Sequence, residues 1–203
     1  MRGPALASIL ALLQSSSGHR PLAVYPAMLK AVISLIRIPP LLSPDEREVL
    51  LSTLIHKILA ASSEINSLLS PLEIQQILDS LGVVCSEVVS DSADALAELS
   101  ESLLPWMQTG SYFERKAALM TLRSTLRSYH DSLKYTYPGG KLETGKLLGR
   151  ILSRSADPEP VFRSLVVDCV SLTLSISAKH RSNVTENNVI HDLTEIKKVI
   201  VNE

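Results

Sequence analysis

Three short strings constrain this chain more than anything else in it: Ser43-Pro44-Asp45-Glu46, Ser70-Pro71-Leu72-Glu73 and Ser111-Tyr112-Phe113-Glu114. In each, a serine is followed three residues on by glutamate, the pattern of a helix capping box. The serine hydroxyl accepts from an orphan backbone N–H, and the glutamate reaches back to the serine's own N–H. In the first two, proline takes the first helical position, where its missing N–H costs nothing. Asp157-Pro158 repeats the device with aspartate as the cap. A chain punctuated in this way starts helices, and starts them often.

The apolar period behind each start is helical. Tyr25, Met28, Leu29, Val32, Ile33 and Ile36 line one face before Pro39-Pro40 stops the run. Leu51, Leu54, Ile55, Ile58 and Leu59 form the next stripe, and Ile74, Ile77, Leu78, Leu81, Cys85 and Val88 the one after, with Gly82 as a tolerated weak point. Leu96, Leu99 and Leu103 precede an expected break at Pro105. Leu119, Leu122, Leu126, Tyr129 and Leu133 follow, then Leu147, Leu148, Ile151 and Leu152, and finally Val189, Leu193, Ile196 and Ile200. Ser171–Ser177 alternates with period two, yet it continues the helical spacing of Val161, Leu165, Cys169, Leu172 and Ile176, so it reads as helix. The expectation is an all-α chain of about nine helices joined by short turns, the pattern of stacked antiparallel helix pairs.

Composition agrees with that class. Hydrophobic residues make up 45% but aromatics only 4%, so the apolar content is mainly aliphatic, with Leu, Ile, Val and Ala. A net charge of −1 provides no global basic field to draw in nucleic acid. The mean hydropathy of +0.19 is high for a soluble domain and suggests apolar surface meant to be covered. Cys85 and Cys169 lie in apolar stretches without metal-site spacing and read as buried thiols in a reducing compartment. No apolar run reads as long enough to span a bilayer; the best, Leu22–Leu42, carries Lys30, Arg37 and three prolines.

Residues 1–18 have the outline of a secretory signal, and Asn183-Val184-Thr185 is a glycosylation sequon. Leu6, Ile9, Leu10 and Leu13 also fit one face of a short helix, and no disulfide framework follows. The helix reading, and a cytoplasmic protein, are therefore expected.

Chemistry-bearing motifs are few. Gly140, Gly145 and Lys146 have the spacing of a phosphate-binding P-loop. That loop needs a buried strand before it and a Ser/Thr after the lysine to hold magnesium. Here Leu147 follows Lys146 and no parallel sheet is expected, so Pro138-Gly139-Gly140 reads as a turn and Thr144 as the N-cap of the next helix. The five histidines, His19, His56, His130, His180 and His191, show no metal-binding spacing. His56 reads as a hydrogen-bonded structural histidine, and Cys169, beside Asp168, as core rather than nucleophile. No catalytic residue, metal, nucleotide or other cofactor is expected.

Ser153–Leu172 resembles the second half of a HEAT repeat, in which a turn aspartate is followed by proline, then valine, then arginine. Those places fall on Asp157, Pro158, Val161 and Arg163. The resemblance implies that charged pairs form a ladder between neighbouring repeats. Gly110–Leu122 looks like the matching helix of the preceding unit, with Arg115 forty-eight residues before Arg163 and Thr109 standing where the aspartate would be. Leu104–Trp106, the ERKAAL helix start, GKLLGRILSRSADPEP and Val167–Val170 look like the maestro heat-like repeat family, over roughly residues 99–176. The resemblance implies a HEAT-like α-solenoid across residues 1–203, a fragment or short form of a longer array, with no catalytic residues to carry over.

The function expected is a non-enzymatic protein–protein interaction scaffold, with other proteins as partners and no nucleic acid. The alternative is a compact helical bundle that binds an apolar ligand or docks weakly on anionic membranes. One candidate partner surface is a basic stripe on the helix starting near Ser111: Lys116, Arg123, Arg127, His130 and Lys134 recur at nearly one azimuth. A solvated helix face accounts for the same pattern. Asp157 and Arg163 are expected beside a turn, with Asp157 accepting from backbone N–H groups at the helix start.

Overall fold

The structure, a computed structural model, describes residues 4–5, 7–9, 11, 24–39, 42–60, 68–89, 92–133 and 143–180. The expected tail stripe from Val189 to Ile200, the Asn183 sequon, the Pro138–Gly140 turn and Lys134 lie outside the described residues, as does most of the segment 1–18. The described residues are all-helical apart from turns. Seven helices carry the fold: α1 (Val24–Ile36), α2 (Pro44–Ala60), α3 (Pro71–Val89), α4 (Ala93–Met107), α5 (Tyr112–Ser132), α6 (Thr144–Leu152) and α7 (Pro160–His180). Further helical residues occur between 4 and 11.

The capping box forms in full at Ser43 and Ser70 and in one direction at Ser111. The Ser43 N–H donates to Glu46 Oε2 at 2.9 Å and the Glu46 N–H returns to Ser43 Oγ at 3.2 Å. Ser70 and Glu73 make the same exchange, with the Ser70 hydroxyl also donating to the carboxylate at 2.6 Å. Those donors pull the Glu73 carboxyl below its ordinary range. Ser111 caps α5 through the Glu114 N–H at 3.4 Å.

The helices fall into two rows. In the first, α3 packs on α1, α5 on α3 and α7 on α5, all extensively; in the second, α2, α4 and α6 touch one another lightly. Between the rows, α2 meets α3 and α5, α4 meets α3 and α5, and α6 meets α7. First-row neighbours run parallel. Ion pairs join Arg37, just past the end of α1, to Glu87 of α3 and Arg123 of α5 to Asp168 of α7, and Thr125 of α5 donates to the Gly82 carbonyl of α3. The core lies between the rows as one cluster, with Leu54, Ile58, Leu81, Leu96, Leu122 and Phe162 among its fully buried members.

α5 is central, so its buried residues extend almost around it, from Ala117 to Leu122 and on to Tyr129. Small residues on that face bring α3 close. Gly82 is the nearest approach: a Cβ there would meet Ser124 Cβ at 2.3 Å and the Ser124 carbonyl carbon at 3.4 Å. Gly82 is therefore a packing requirement, not the tolerated weak point expected of it.

Four other expectations need correction. α4 runs through Pro105 to Met107, so the break falls just after the proline, where the Gln108 N–H closes the last turn onto the Pro105 carbonyl. α7 starts at Pro160 and not at Pro158, since Asp157 closes a local turn onto the Glu159 N–H at 3.2 Å and leaves Pro160 as the first helical residue. Thr144 does not cap α6; Glu143 holds the cap position, and the buried Thr144 hydroxyl donates to Ser177 Oγ of α7 at 2.9 Å. Finally, α7 does have the length and apolarity to cross a membrane, although it packs against α5 and α6.

Candidate functional site

The two turns that the sequence pairs at a forty-eight-residue offset have the same internal geometry. Arg115 donates through Nη1 to the carbonyls of Thr109 at 3.1 Å and Gly110 at 3.0 Å. Arg163 donates through Nη1 to the carbonyls of Asp157 and Pro158, both at 3.3 Å. Each arginine reaches back six and five residues to tie the turn before its own helix. The two turns are also joined: Arg115 Nε lies 3.3 Å from Asp157 Oδ2, with the aspartate side chain only 7% exposed. The guanidinium of Arg115 also lies over the Phe162 ring, 5.2 Å from its centroid. Thr109, in the aspartate's place, turns its hydroxyl to the Trp106 and Ser111 carbonyls. One ion pair thus joins the two turns, and Thr109 has no carboxylate with which to form another.

The basic stripe divides. Lys116 and Arg123 border a groove, Arg127 is exposed, and His130 is half-buried with Nδ1 3.4 Å from Asp131 Oδ1. Arg123 bonds Asp168 of α7 at 3.3 Å, which offsets part of its charge. Lys116 makes its polar contact with an aromatic face, 5.8 Å from the Tyr112 centroid. Lys134 lies outside the described residues, so four of the five expected members are placed.

The groove is a feature the stripe alone did not reveal. It has a volume of about 370 Å³ and crosses the N-terminal halves of α3, α5 and α7. Ile74 and Leu78 come from α3, Ala117 and Met120 from α5, and Val161 and Leu165 from α7. Its charged lining residues are the two cations Lys116 and Arg123. Val161, which the sequence puts on the apolar stripe of this helix, is exposed at the groove.

The remaining candidates have structural roles. Lys146 bonds Glu101 of α4 at 2.8 Å and approaches Glu143 at 3.7 Å; Arg150 bonds the same Glu101 at 2.6 Å. These two cations hold the Glu101 carboxyl well below its usual range, at about 2. The lysine of the P-loop-like string therefore pins α6 to α4. Cys85 and Cys169 are fully buried, and burial pushes both thiols up to about 12. His56 is exposed and sits edge-on to Trp106, 5.6 Å between centroids. Among the described residues no cluster of three His, Cys, Asp or Glu side chains is placed to hold a metal.

Comparison with protein-family models, with curated proteins and with solved structures gives no match.

Proposed function

We propose that this chain is a short α-solenoid of HEAT-like helix pairs that serves as a non-enzymatic protein–protein interaction scaffold. The observation that carries the reading is the repeated turn: Arg115 and Arg163 make the same pair of backbone bonds, and Asp157 links one unit to the next. The spacing of cross-helix bonds supports it. Thr125 to Gly82 spans 43 residues, Arg123 to Asp168 45, Arg150 to Ser100 50 and Tyr129 to His180 51. Two of these spans fall inside, and two just above, the roughly 40–47 residues of a HEAT-type repeat. In such an array each unit contacts only its neighbours, and the tighter row of helices forms the inner wall that receives partners. The likeness to the maestro heat-like repeat family belongs to the same proposal, and buried, unpaired thiols suit the cytoplasm.

Truncation tests the architecture. Removing residues 143–203 takes away α6 and α7, which among the other described helices touch α4 and α5. The remainder should stay helical and melt cooperatively at a lower temperature. Collapse to an unfolded chain would favour a compact bundle and overturn the array. Proximity labelling followed by cross-linking tests the function: partner proteins should cross-link to the α1–α3–α5–α7 row, and cross-links confined to the α2–α4–α6 row would contradict it.

A further inference from the structure

We propose that the groove across α3, α5 and α7 receives an acidic amphipathic helix from a partner protein. The inference rests on the scaffold reading and specifies its occupant. The groove's apolar floor draws side chains from three parallel helices, among them Ile74 and Leu78 of α3, Ala117 and Met120 of α5 and Val161 and Leu165 of α7, so its long direction crosses the row. Two interaxial steps span roughly 16–20 Å. That length corresponds to about 11–13 residues of α-helix, or three turns. A helix of that length offers apolar anchors at i, i+3, i+4 and i+7, one set for each crossing of the row.

Charge selects the partner's other face. Among the described residues, the charged ones lining the groove are Lys116 and Arg123, both on the middle helix and about two turns apart. Lys116 has its ammonium over the Tyr112 ring and no carboxylate in reach among the described residues. It is therefore free to take a carboxylate from a ligand without giving up an ion pair. Arg123 already has one bond to Asp168 and keeps further N–H donors for a second acceptor. An acidic helix would meet both cations beside its apolar anchors. An anionic membrane is a poorer match, because basic membrane-binding surfaces gather about four to eight cations and this groove has two, recessed in a concave wall.

The test uses the whole chain, methyl-labelled for NMR, and a synthetic 14-residue peptide with leucines at i, i+3, i+4 and i+7 and glutamates elsewhere. The expected result is saturable binding that shifts the methyls of Ala117, Met120 and Leu165 and weakens with salt. A control peptide with lysine in place of glutamate should bind about tenfold less tightly or worse. Lys116→Glu and Val161→Asp should each weaken the acidic peptide by a similar factor, with melting curves showing that both variants remain folded. If either variant unfolds, the methyl map of the wild-type chain with the two peptides still decides. Equal binding of both peptides, or shifts confined to other methyls, would overturn the proposal. So would shifts at these methyls produced by phosphatidylserine vesicles and not by the peptide. Failure here with a folded 1–142 truncation would leave the scaffold standing and remove only this occupant.

Discussion

Replacing Gly82 with alanine puts two known effects in opposition. Alanine is the better helix former by about 0.8–1 kcal/mol in a helix interior, so on an isolated α3 the change would stabilise. In the folded chain the new methyl carbon would lie 2.3 Å from Ser124 Cβ. That atom is fixed to the α5 backbone and no rotamer moves it away, so α3 and α5 have to separate. Both helices are packed along their length, and α5 also bears on α2, α4 and α7. Forcing a methyl group into such a contact typically costs 1–3 kcal/mol, and the closeness of the clash points to the upper half of that range. The net expectation is destabilisation of about 1–2 kcal/mol. For a chain of this size that is a fall in melting temperature of roughly 2–8 °C. Thermal melts by circular dichroism, with urea titration for the free energy, measure it. A double variant adding Ser124→Gly should recover part of the loss, giving a coupling above the ~0.5 kcal/mol expected of independent sites. A Gly82→Ala chain that melts at or above the wild-type temperature would refute the close-packing argument and return Gly82 to the role of a weak helical position.

Three other outcomes are expected. Asp157→Ala removes both the ion pair to Arg115 and the bond from the Glu159 N–H, and should lower stability by about 2 kcal/mol; an unchanged urea midpoint would contradict the ladder. Glu101, held at about 2 against an ordinary value of 4.5, contributes stability that is present above pH 4.5 and lost as the pH falls towards 2. Glu101→Gln should therefore lower the urea midpoint at pH 6 and leave it near the wild-type value at pH 2; the same gap at both would contradict the pairing. Cys85 and Cys169, buried and pushed up to about 12, should resist a thiol-specific disulfide reagent at pH 8 and react once the chain is unfolded in urea.

The helices were legible because their signals are local. A capping box is complete within four residues, and Ser43–Glu46 and Ser70–Glu73 form it both ways. A helical stripe needs only its own period, which is why Ser171–Ser177 could be assigned to α7 against its alternation. What escaped depends on a neighbour distant in sequence. Thr144 looks like a cap until Ser177, thirty-three residues on, takes its hydroxyl. Gly82 looks like a concession until α5 arrives beside it. The basic stripe could be placed on one azimuth of α5, but whether a cation meets water, a carboxylate or a groove is set by α7 and α3. Arg123 found Asp168, whereas Lys116 found an aromatic face and open space.

The seven helices never contact one another across more than three places along the chain, and nothing brings α1 against α7. Among the described residues no contact closes the first helix onto the last. The chain's contacts join segments near in sequence, which favours fast assembly, and either end can open without unlocking the other. Amide exchange should then record a gradient: slowest in α5, which has helices on four sides, and faster towards α1 and the short α6. Protection in this chain should follow how many neighbours a helix has, highest in α5 and lower in the helices with fewer contacts.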